Sequence, residues 1–131
     1  MDETTIRTFA GLLAAARMQP EPQRLLFVFA VAEPPPGEVG SGRVALTPRV
    51  CVDKLATEVV SFEALRTESR ASIPHWDILF VAALDGRAGI APNSDEAAAP
   101  LRMMLESIRA GRISNFLTID HDGELVRLEP G

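Results

Sequence analysis

The sequence predicts a single domain of α/β (or α+β) class: a mixed sheet of four to five strands packed with three helices, in the order α-β-β-α-β-α-β-β. Two apolar runs without polar alternation, residues 25–32 and 78–83, read as strands buried on both faces. Three further segments carry helical apolar spacing, which supplies cover for such a sheet. The length of 131 residues fits one domain, and a domain of this size buries about two-thirds of its unfolded surface. Hydrophobic residues at 47% and charged residues at 24% match a globular chain and exclude wholesale disorder.

The first helix is expected from about residue 5 to residue 18. Ile6, Phe9, Ala10, Leu13 and Ala14 share one stripe, Arg17 complements the helix dipole, and Pro20 and Pro22 stop the helix. The first strand follows at 25–32. Residues 33–42 combine Pro34, Pro35 and Pro36 with Gly37, Gly40 and Gly42, and read as a mobile surface loop, with a functional lid as the alternative. Residues 44–46 and 50–52 flank Pro48, which marks a second strand either broken or at an edge.

Ser61 is a natural N-cap for a short helix that turns Phe62, Leu65 and Ser69 inward. The third strand is expected from Trp76 to Leu84. Asn93 with Glu96 resembles a capping box, but one long helix from there would enclose Pro100. The expectation is therefore one turn near 94–98 and a main helix opening at Pro100, with Leu101, Met104, Leu105 and Ile108 inward and Gly111 ending it. A hairpin closes the chain, with arms at 115–120 and 124–128 around His121, Asp122 and Gly123.

The formal net charge is −5, with a single lysine, Lys54, and no run of basic residues. Nucleic-acid binding needs clustered cations against phosphates, so nucleic acid is excluded as the expected partner. One cysteine, Cys51, rules out an intramolecular disulfide and a cysteine zinc site. Flanked by Val50 and Val52, it is expected to be buried and inert. The first five residues are acidic and polar, unlike a signal peptide, and the longest apolar run has eight residues against the ~20 that cross a membrane. These features give a cytoplasmic expectation with no membrane partner.

The best candidate site is the loop carrying Gly86, Arg87, Gly89, Asn93 and Ser94. It follows an expected central strand and leads into a helix, where open α/β sheets tend to hold ligands. Its glycines permit close backbone approach, and Arg87 offers a fork for a small anion or nucleotide. Asp95 and Glu96 oppose phosphate there. His75 and His121 lie outside any ligand-spaced motif, and the triplet Asp120, His121 and Asp122 reads as a polar turn, so neither a metal nor a cofactor is expected. No nucleophile elbow or nucleotide-binding glycine motif occurs, and no catalytic residue is assigned.

Residues 19–30 and 76–84, together with Cys51, Val52, Asp53, Lys54 and the Ala110, Gly111, Arg112, Ile113 run, carry a resemblance over nearly the whole chain. The chain resembles a group of small proteobacterial proteins that often bear the name ribonucleotide reductase subunit alpha. That enzyme's large subunit is a barrel several times this length and needs a radical-bearing cysteine, a pair of reducing cysteines and, in its common aerobic form, relay tyrosines. With one cysteine and no tyrosine, this chain cannot perform that reaction. The resemblance implies at most an accessory role and transfers no residue role.

Two functions are thus expected from different classes. The first is a non-enzymatic interaction or accessory module that meets another protein or a second copy of itself. The second is a small-anion or nucleotide binder. A pocket gathering Asp, His and Arg side chains would favour the second, and a large exposed apolar patch the first.

Overall fold

The computed structural model describes residues 7–128. The elements follow in the order α1 (Phe9–Arg17), β1 (Gln23–Glu33), β2 (Ala45–Leu55), α2 (Phe62–Ser69), β3 (Ile78–Asp85), α3 (Ser94–Arg109) and β4 (Leu117–Asp120). The four strands form one sheet in the order β2-β1-β3-β4, and all three pairings are antiparallel. The expected single domain of three helices and a four-stranded sheet is present, and the sheet is wholly antiparallel rather than mixed.

β1 sits inside the sheet and is covered on both faces, as its unalternated apolar run requires. Leu25, Phe27 and Phe29 join Phe9, Leu12, Leu13, Leu65 and Trp76 on the face covered by α1 and α2. Leu26, Val28 and Ala30 join Ala97, Leu101, Met104 and Ile108 on the face covered by α3. The two-residue period of a strand sends neighbours to opposite cores.

β2 is an edge strand, continuous through Pro48. The register slips between Phe29 and Ala30, which face Val50 and Pro48, so Arg49 is bulged out. A bulge on an edge is where a residue without an amide hydrogen fits. Cys51 is exposed, contrary to the expectation of burial. It stands opposite Val28 on an outer strand, whereas Val50 and Val52 pack against the other face. Apolar sequence neighbours in a strand therefore say nothing of the cover over the residue between them.

Several boundaries differ from expectation. The stripe of α1 is Phe9, Leu12, Leu13 and Ala16, with Ala10 and Ala14 exposed; Ile6 lies outside the described residues. The helix starts late because the Thr8 side chain caps it, accepting from Gly11 N. Glu33 belongs to β1 rather than to the loop, which starts at Pro34. β3 begins at Ile78, and Trp76 instead turns into the core, 5.2 Å from the ring of Phe29.

α3 is one helix with Pro100 inside it. The stripe Ala97, Leu101, Met104 and Ile108 runs unbroken across the proline, and Asn93 and Glu96 complete a capping box. Burial of that stripe plus the cap outweighs the ~3 kcal/mol that an interior proline costs. The expected last strand survives as isolated bridges: Glu124 meets Thr8, and Leu125 meets Ile119. Its pairing is shared with the start of the chain, because Phe9 N donates to Gly123 O and Leu125 N to Arg7 O.

Candidate functional site

The five residues singled out in the sequence lie together, but four of them have structural work. Arg87 and Ile90 exchange both backbone hydrogen bonds at 2.9 Å, with Ala88 at φ 52° and Gly89 at φ 80° between them. This is a tight turn of the type that needs left-handed backbone. Gly86 is buried; a Cβ there would lie 2.5 Å from Ile90 O and 2.8 Å from Pro22 O. The close approach it permits is to protein backbone. Asn93 Oδ1 accepts from Glu96 N as the cap of α3, and Ser94 Oγ donates to Asp53.

Arg87 is exposed, and among the described residues its side chain makes no hydrogen bond or ion pair. The concavity beside it, about 360 Å³, is also lined by Asp85 and Glu96. Glu21 lies close as well, accepting from Gly89 N at 2.7 Å. Acids outnumber the arginine here. The strand-end rule for ligands also concerns open sheets with parallel strands, and this sheet has none.

A different concavity, about 200 Å³, gathers the side chains that sequence spacing left unconnected. It is lined by Arg66 and Arg70 of α2, Pro74, His75 and Trp76 before β3, and His121 after β4. His75 and His121 are the chain's two histidines.

Each wall is anchored. Trp76 is buried, its Nε1 donating to Ser69 Oγ at 3.0 Å, which ties the 74–76 segment to the last turn of α2. Asp77 N donates to Ala30 O, and Asp77 Oδ2 accepts from Ala32 N at 2.7 Å. The remaining oxygen, Oδ1, lies 3.0 Å from His75 Nε2. On the far side, Arg66 Nη1 donates to His121 O at 2.8 Å, and Arg66 Nη2 pairs with Glu63 Oε2. Gly123 allows this turn to press on α2, since a Cβ there would meet the Phe62 ring at 2.9 Å. Asp120 Oδ1 accepts from Asp122 N and Glu124 N, and His121 Nδ1 lies 3.3 Å from Asp122 Oδ1.

Arg70 is exposed and, among the described residues, has no hydrogen-bond or ion-pair partner for its side chain. Both histidines are largely exposed, at 70% and 60% for their side chains. The hydrogen bond from His75 Nε2 to Asp77 leaves Nδ1 of that ring without a partner among the described residues. None of the lining residues is a serine, threonine or cysteine. A further concavity, about 260 Å³ between β3 and Phe116, has no charged lining.

Among the described residues no group of three or more His, Cys, Asp or Glu side chains is placed to hold a metal ion, and no helix is long and apolar enough to cross a membrane. No protein-family model, curated protein or solved structure matches the chain.

Proposed function

We propose that the protein is a binding module for a small oxyanion, phosphate or sulfate in class, and that the anion sits between Arg66, Arg70, His75 and His121. The observation that carries this reading is the convergence of four cation-capable side chains in one concavity of an otherwise acidic chain. The size supports a small ligand. Pockets that enclose drug-sized molecules or cofactors run to roughly 300–1,000 Å³. At about 200 Å³ this one suits a tetrahedral anion, or the anionic end of a larger molecule whose remainder stays in water. The lining holds no serine, threonine or cysteine, and the reading is of binding.

Arg70 supplies the least committed charge. Arg66 is held by Glu63 and by the His121 carbonyl, which fixes its fork beneath the site. An exposed, charge-assisted site of this kind corresponds to a Kd of about 1 mM, or roughly −4 kcal/mol. Titration of isotope-labelled protein with sulfate, followed by amide and indole resonances, tests the proposal. The expected shifts fall on Arg70, His75, Trp76 and His121. Shifts confined to the loop from Gly86 to Ser94, or none up to 50-fold above ~1 mM, overturn it.

A further inference from the structure

We infer that this site takes up its anion together with protons on His75 and His121, an inference that rests on the anion-binding reading above. The tautomer of His75 follows from its partner. A carboxylate only accepts, so the neutral His75 ring carries its hydrogen on Nε2, toward Asp77 Oδ1, and leaves Nδ1 as a bare lone pair. His121 Nδ1 lies 3.3 Å from Asp122 Oδ1, within ion-pair distance of that carboxylate once the ring is charged. An oxyanion also only accepts. The bare lone pair of His75 therefore repels it, and one proton added to each ring turns all the ring nitrogens into donors.

The charge balance points the same way. From α2 come Arg66 and Arg70 together with Glu63; from the segment before β3 come His75 and Asp77; from the turn after β4 come His121 and Asp122, with Asp120 held inside its own turn. With neutral histidines, the two arginines face four carboxylates, and the neighbourhood is negative by two. Protonating both rings brings it to neutrality. Histidine as a residue type is the side chain that ordinarily changes charge between about pH 5 and pH 8, which sets the range over which the coupling is tested.

Sulfate is the right probe because its charge is constant across that range. Its affinity is measured from pH 5.5 to 8.5 for the wild type, for His75→Gln and His121→Gln, and for the double variant. Calorimetry in two buffers of different ionisation enthalpy counts the protons taken up. The wild type is expected to bind at least tenfold more tightly at pH 5.5 than at 8.5, with net proton uptake at intermediate pH. Each single variant should lose part of that dependence and the double variant nearly all of it. Both histidines are exposed, so these variants keep the fold. A flat wild-type profile, or a dependence that persists in the double variant, overturns proton coupling while leaving the anion site in place. No sulfate binding at any pH overturns both readings.

Discussion

Arg24 Nη1 donates to Asp53 Oδ2 at 2.8 Å, joining β1 to β2 through two side chains that are only 12% and 19% exposed. The same Asp53 oxygen accepts from Ser94 Oγ, and Arg24 Nε donates to Pro92 O at 2.6 Å. One ion pair thus holds two strands and the start of α3, and it explains why Ser94 has no hydroxyl to spare for a ligand.

Asp53→Ala should therefore destabilise the fold by about 1.5–3 kcal/mol, since it strands a mostly buried guanidinium. Arg24→Ala in the same background should cost less than the sum of the two single changes. Urea denaturation of the three variants measures this. A loss under 0.5 kcal/mol for Asp53→Ala, as on an open surface, would contradict it.

The two glycines of the 86–92 turn should separate cleanly. Gly86→Ala brings a methyl group into two backbone oxygens and should cost more than ~2 kcal/mol. Gly89→Ala meets nothing within 4 Å and bears only the left-handed backbone penalty, about 1 kcal/mol. Thermal melts of the two variants check the order, and a more damaging change at Gly89 would refute the steric account.

Cys51 should react with a thiol reagent in the native protein without prior unfolding, because its side chain is exposed on the edge strand. Cys51→Ser should leave stability within ±0.5 kcal/mol, as surface substitutions do. Modification that occurs only after denaturant is added would show the residue to be covered.

The segment after Glu33 is expected to be mobile and dispensable. It holds two backbone turn contacts, Glu38 N to Pro35 O and Ser41 N to Glu38 O, and an exposed Arg43–Glu38 pair. Replacing residues 34–43 by a shorter Gly/Ser linker should move the melting midpoint by only a few degrees, since halving a loop changes closure entropy by about 0.6 kcal/mol. Loss of the cooperative transition would place the segment in the core.

What could be read from the residues was the part governed by local pattern. Lack of alternation in the runs at 25–32 and 78–83 marks two-sided burial, which holds for residues 25–30 and 79–81 while Ala32 and Ala83 are exposed, and Pro48 marks an edge. Ser61 and Asn93 mark helix starts through their caps. The phase of α1 was missed because alanines fit either side of a helix and do not vote for a face. Pro100 misled because its cost is local, while the gain that outweighs it comes from the sheet beneath.

The site was illegible for a related reason. His75 and His121 stand far apart in the sequence, and what brings them together is Trp76 seated on Ser69 and Gly123 seated on Phe62. Neither contact leaves a spacing signal. The glycines of the Gly86 loop do mark close backbone approach, and at Gly86 the approaching groups are the carbonyl oxygens of Ile90 and Pro22.

Comparing Arg70→Ala with Arg87→Ala separates the two concavities as anion sites. Each is exposed and unpaired among the described residues, so both variants should fold, and they differ in which concavity they line. Sulfate affinity at pH 6 should fall about tenfold or more for Arg70→Ala, matching a charge-assisted contact of roughly 1.5–3 kcal/mol, and stay unchanged for Arg87→Ala. The reverse pattern, or equal small losses in both, would contradict an anion site between Arg66, Arg70, His75 and His121.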